Sequence, residues 1–367
     1  MEQEQSDRAR KPKLDSVQML RGLGAILVVG IHLNNWLYAQ ERAIGPSHIA
    51  YFANWHQFGA IGVDIFFVIS GFVIALTMGR YQGRPGTFIV QRFLRIAPLA
   101  YIFSGLWMLR LHLIGGSVPL PGVLSTIELA PVLPSYALPT LDVLWTLSFE
   151  FTFYLLVCAV LLLRKGPMTL FFLTLLLAPI GLVHSFGYPL LRFSTHPMLL
   201  EFALGMAAYL LWRDNLLNRP LRIASGVIGA AALLAQALFG SGIAANPALA
   251  ISGETALARV LQWALPSFLI LNFLVAWQPR AGIAQRIAVK IGDASYSIYV
   301  VHLFVISMLI HRIPLPPDGR WLTLFVLVLV AGVAVYQFVE KPLASLAARI
   351  GRKRDTPAAK PLDAGAS

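Results

Sequence analysis

From residue 14 onward the chain is a succession of apolar runs near bilayer length, separated by short polar or Pro- and Gly-rich breaks. A helix rises about 1.5 Å per residue, so about 20 apolar residues cross a hydrocarbon core of about 30 Å. About ten runs approach that length: 16–37, 57–79, 97–115, 143–164, 168–185, 195–212, 222–240, 257–277, 293–312 and 321–340. Hydrocarbon offers the backbone no water, so the pattern predicts an all-α, polytopic membrane helix bundle with about ten transmembrane helices. Pro98, Pro179 and Pro266 fall in or near these runs, which a bundle tolerates. The predicted organisation is a basic N-terminal tail, 1–13, a membrane domain, 14–345, and a polar, disordered C-terminal tail, 346–367. The first run is long and lacks a small-residue cleavage site, so it reads as a retained helix rather than a signal peptide. The Pro-rich, lysine- and arginine-free stretch 116–142 is expected to fold back over the bundle as a lid.

Composition agrees with this picture. Hydrophobic residues make up 57% of the 367 residues and charged residues 13%, with a mean hydropathy of +0.70. Charge then fixes an orientation. Most Lys and Arg residues fall in alternate connections with the two tails, among them Arg8, Arg10, Lys11, Lys13, Arg80, Arg84, Arg213, Arg286, Lys290 and Lys341. The other connections hold only Arg42, Arg192, Arg259, Arg312 and Arg320. The positive-inside rule therefore predicts both termini cytoplasmic. The same distribution removes nucleic-acid binding from consideration, because loop orientation and anionic lipid account for the net charge of +12. Cys158 is the single cysteine, so no intrachain disulfide or cysteine cluster is available, and the histidines lack metal-ligand spacing. No internal repeat is evident, which weighs against an inverted-repeat transporter.

Ionisable groups inside apolar runs are expensive and mark function. Arg21 and His32 share the first run. Their spacing of eleven residues is about three helical turns, which puts both on one face about 16 Å apart. Asp64 and Glu150 lie toward the opposite surface from Arg21 and are candidate partners, Asp64 for His32 and Glu150 for His32 or Arg21. Arg92 and Arg95 share a face of an amphipathic connection, 79–98, where they either snorkel or capture phosphate. His302 reads as a packing histidine or a functional one, and Trp145 and Tyr296 as an interfacial anchor and a hydrogen-bonding residue. Glu201 is a further buried carboxylate without an evident partner.

These residues stand in short motifs that resemble the membrane acyltransferase-3 family of O-acyltransferases. The resemblance rests on Arg21 and His32, GVDIFFVISGF (62–72), RFLRIAP (92–98), WTLSFE (145–150), DASYSIYVVH (293–302) and FVEKPL (338–343), in family order. It implies a multi-pass protein of the bacterial inner membrane that moves an acetyl group from cytosolic acyl-CoA to a hydroxyl. The acceptor would be an extracytoplasmic or carrier-linked glycan, in a branch acting on exopolysaccharide or lipopolysaccharide O-antigen. Acetyl-CoA would be a substrate, with no permanently bound cofactor. His32 is then the catalytic base or nucleophile, oriented by Glu150 or Asp64, with Arg21 on the donor and Arg92 and Arg95 on the CoA phosphates. Trp145, Tyr296 and His302 are candidates for substrate binding. The competing class is a polytopic transporter of a glycan or lipid-linked precursor.

Overall fold

The computed structural model describes residues 14–51, 58–240 and 246–346, and every regular element among them is helical. The predicted N-terminal tail and all but the first residue of the predicted C-terminal tail lie outside these residues. The longer helices are α1 (Asp15–Ile44), α2 (Ile61–Thr77), α3 (Pro85–Leu113), α4 (Leu120–Glu128), α5 (Trp145–Leu162) and α6 (Pro167–Leu177). They continue as α7 (Leu199–Arg213), α8 (Arg219–Phe239), α9 (Leu265–Leu274), α10 (Ile283–Asp293), α11 (Ser295–Leu309) and α12 (Pro317–Val335). Two single π-helical turns, Val260–Ala264 and Tyr336–Glu340, lead into α9 and out of α12.

Seven helical stretches among the described residues are long and apolar enough to cross a membrane, and the bent pair of α10 and α11 makes an eighth if it counts as one span. The predicted runs at 168–185 and 195–212 form shorter helices instead. Pro179 interrupts the first, and α7 has 15 residues. The protein is thus a multi-pass membrane protein. The run expected at 293–312 is α11, which meets α10 at a bend of 71°.

One departure bears directly on function. The connection at 79–98 and the run at 97–115 were expected as separate elements, but α3 continues through Pro98 as one helix of 29 residues. At about 1.5 Å per residue it spans roughly 43 Å, more than the hydrocarbon core, so its first turns project beyond it. Pro98 removes only one helical hydrogen bond, a loss that membrane helices absorb.

Glycines set the helix spacing around the centre. Lipid tails give apolar helices little reason to associate, so small residues that allow backbone contact dominate such crossings. A Cβ on Gly205 in α7 would lie 1.9 Å from the carbonyl oxygen of Val68, and one on Gly71 in α2 would lie 2.0 Å from that of Phe202. The two helices therefore cross in reciprocal contact, with Phe67 stacked on Phe202 at 4.8 Å. Gly62 makes a similar approach to Gly24 of α1. Stretch 116–142 does fold back. Its Leu129, Ala130 and Leu141 are buried in the largest apolar cluster, and Tyr136 hydrogen-bonds Ser148 of α5 at 3.1 Å.

Gly205→Ala should lower the melting temperature of the purified protein in detergent, at a cost of roughly 1–3 kcal/mol for overpacking. Gly105→Ala on α3, where an added methyl meets nothing within 4 Å, should not lower it and should raise it slightly, because Ala is the better helix former.

Candidate active site

Five helices, α1, α2, α3, α5 and α11, enclose a cavity of about 330 Å³. Its apolar wall includes Val63, Phe66, Phe67, Val73 and Leu147. Its polar wall includes Arg21, Ser70, Arg92, Arg95, Glu150, Tyr154, Tyr296 and Tyr299. Arg21 comes from the second turn of α1 and keeps one hydrogen bond to Gln18, at 3.2 Å. Arg95 is exposed at the same end, and Arg92, three residues along the same face of α3, is half-buried. The continuity of α3 is what carries these two arginines into the cavity wall.

Glu150 is the polar centre of this wall. Its Oε1 accepts a hydrogen bond from Ser70 Oγ at 2.5 Å and another from the Tyr154 hydroxyl. The charges of Arg92 and Arg21 act on it directly. Arg92 is itself fixed by a 3.3 Å hydrogen bond to Thr77 Oγ1, with its guanidinium 5.4 Å from the Phe88 ring centre and 5.7 Å from that of Tyr154. Neither expected partner of Glu150 holds it: hydroxyl donors do, the charge of Arg21 acts on it from a distance, and among the described residues no hydrogen bond or ion pair joins it to His32.

The far end of the cavity is closed by Tyr299. Its hydroxyl donates to the Val143 carbonyl at 2.5 Å and makes a 2.9 Å hydrogen bond with Thr146. One turn on, His302 is fully buried, and its ring centre lies 4.9 Å from that of His32. His302 Nδ1 sits 2.6 Å from the Tyr299 carbonyl oxygen. A carbonyl only accepts, so Nδ1 carries the hydrogen and the neutral ring keeps its lone pair on Nε2. That Nε2 is buried with no hydrogen-bond partner among the described residues. Arg21 and His32 do share one helix, but only Arg21 lines the cavity. His32 lies beyond it, behind Tyr299 and His302.

Asp64 does not join this group. Its Oδ2 accepts a 2.7 Å hydrogen bond from Arg259 Nη2, and this ion pair is 0% and 2% exposed at its two side chains. Arg259 lies 4.7 Å over the Trp263 ring, and Glu201 interacts electrostatically with both Asp64 and Arg259. The sequence therefore misled twice here. Asp64 is paired with Arg259 rather than with His32, and Arg259 is buried rather than in a surface connection. The carboxylate whose charge reaches His32, and Tyr299 as well, is Asp142, at the entry to α5. Spacing could not have found it, because it stands in an exposed turn rather than an apolar run.

Tyr296 lines the cavity and donates to the Ile96 carbonyl at 2.6 Å, tying α11 to α3. Trp145 lies outside the cavity, buried and edge-on to Phe149 with ring centres 5.8 Å apart.

The chain matches the model of a family described as an acyltransferase domain over residues 14–338. It is 31% identical over 307 residues to the exopolysaccharide production protein ExoZ of Rhizobium meliloti, covering 78% of this chain and 91% of that protein. It is 28% identical to acyltransferase MdmB of Streptomyces mycarofaciens, covering 94% of each. Nodulation protein 10 of Rhizobium leguminosarum bv. viciae is 26% identical, over 81% of this chain and 84% of its own length. No solved structure matches.

Breaking a buried ion pair from one side strands the other charge, at a cost of roughly 3–5 kcal/mol. Asp64→Ala should accordingly lower the melting temperature sharply, and Asp64→Leu combined with Arg259→Met should recover part of the loss. An unchanged melting temperature for Asp64→Ala would contradict the structural role given to the pair.

Proposed function

The chain belongs to this family of membrane O-acyltransferases, and from that premise we propose that it carries an acyl group, acetyl by preference, from cytosolic acyl-CoA to a glycan hydroxyl at the opposite membrane face. The observation that carries the reading is the succession along α1: a cationic mouth at Arg21 and Arg95, a narrow cavity, then His32 about 16 Å further along the helix. A long thioester would lie along the cavity with its acidic head at the mouth, and its reacting carbonyl would meet His32 once the Tyr299 side chain that closes the far end moves aside. Under this reading both termini face the cytoplasm of a bacterial inner-membrane protein. The description of ExoZ favours an exopolysaccharide or related cell-surface sugar as the acceptor.

In the proposed reaction the acceptor hydroxyl approaches from the face opposite the mouth. His32 takes its proton while the oxygen attacks the thioester carbonyl. The tetrahedral centre then expels the thiolate, which takes the proton back from the His32 imidazolium and restores the neutral base as CoA leaves by the way it entered. Ester and thiol form from thioester and alcohol, with no net gain or loss of protons. His302, held in one tautomer by the Tyr299 carbonyl, fixes the neighbouring ring and is a positioning residue. Glu150 holds the Ser70 and Tyr154 hydroxyls on the cavity wall, and Arg92 and Arg21 attract the donor.

General-base catalysis contributes roughly 10²–10⁴-fold. His32→Ala should lower acyl transfer in proteoliposomes by that factor at matched folded protein, and normal turnover would eliminate its catalytic role.

A further inference from the structure

Beside the mouth lies a second, open cleft of about 510 Å³, formed by one face of α10, the first turn of α1 and the π-turn after α12. Its basic groups are Arg286 and Lys290, one turn apart on α10, and Lys341 just past the π-turn. All three are exposed. Two carboxylates face the same space. Asp15 accepts a 2.6 Å hydrogen bond from Gln285 Nε2, and Asp293 ends α10.

The cleft and the cavity share their walls. Leu14, Gln18 and Ser295 line the cavity, whereas Asp15 and Asp293 line the cleft, so the first turn of α1 and the 71° bend between α10 and α11 divide them. That divide is rigid. A Cβ on Gly292 would lie 1.9 Å from the Gln18 carbonyl oxygen, and one on Gly22 3.1 Å from the Gly292 nitrogen, so α1 and α10 touch backbone to backbone.

A cavity of about 330 Å³ is near the small end of ligand pockets. It accommodates a slender thioester arm but not, in addition, a phosphorylated nucleotide. We infer that the cleft of Arg286, Lys290 and Lys341 is the binding site for the phosphorylated nucleotide end of the thioester donor, an inference that rests on the donor proposed above. Arg95 and Arg21 then meet the phosphates nearest the arm, and the cleft holds the outer phosphate and its nucleoside. Guanidinium and ammonium groups suit this ligand, because phosphate oxygens accept several charge-assisted hydrogen bonds.

The probe is adenosine 3′,5′-bisphosphate, titrated calorimetrically against the full-length protein in phosphatidylcholine nanodiscs. Wild-type protein should bind it, and Arg286→Glu with Lys290→Glu should weaken binding by roughly tenfold or more, the effect of losing about 1.4 kcal/mol. Equal affinity in the two proteins, or no binding by wild type, overturns the assignment. Repeating the titration in nanodiscs containing phosphatidylglycerol separates the two sources of phosphate. Displacement of the nucleotide by anionic lipid, together with equal affinities in neutral nanodiscs, would assign the cleft to headgroups and overturn the proposal. Acetyl transfer from acetyl-CoA by wild-type protein is measured alongside. Nucleotide binding without transfer removes the reaction but keeps the site, and transfer with unaltered binding in the variant removes the site alone.

Discussion

A charge inside a bilayer must find its partners within the protein, and that requirement organises the polar interior of this bundle. The structure meets it in two separated ways. Asp64 and Arg259 are closed on each other, almost without exposure, with Glu201 and Trp263 around them. Arg21, Arg92, Arg95 and Glu150 instead line a cavity open at one end, where each keeps hydrogen-bonding or electrostatic capacity for something else. One set locks α2 against the segment before α9; the other leaves a polar path along α1.

The path depends on how tightly the helices are drawn together. Gly71 and Gly205 bring α2 and α7 into backbone contact, and Gly62 does the same for α1 and α2. This packing fixes Ser70 and Glu150 at hydrogen-bonding distance across two helices. It also sets the His32 ring against that of His302, beyond the Tyr299 that closes the cavity, with the hydrogen bonds of Tyr299 and His302 to Val143 and Tyr299 fixing their orientation.

Much of this was legible in the chain. Helical spacing put Arg21 and His32 on one helix, and the structure extends that helix from Asp15 to Ile44. Hydropathy marked most of the spans and gave the all-helical class. What failed did so for physical reasons. The charged, amphipathic stretch 79–98 reads as a surface connection, but from Pro85 it is the start of α3, which continues through Pro98 and carries Arg92 into the cavity wall. Arg259 looked like a surface residue because nothing in its local sequence reveals the carboxylate 195 positions away that pairs with it. Asp142 was invisible as a partner of His32, since its influence comes from tertiary proximity rather than from depth in an apolar run. Glu201 lacked an evident partner for the same reason, which only the packing of α7 on α2 resolves.

In the proposed reaction the donor enters at the Arg21 end and the acceptor at the other, with only the acyl group passing between. Proteoliposomes carrying the protein in a single orientation test it directly. Labelled acetyl-CoA is supplied only on the side of the Arg21 end, and the glycan acceptor only on the opposite side. Vectorial transfer gives labelled ester on the acceptor, with all CoA recovered on the side where it was supplied. Transfer that occurs only when donor and acceptor share one compartment would contradict it.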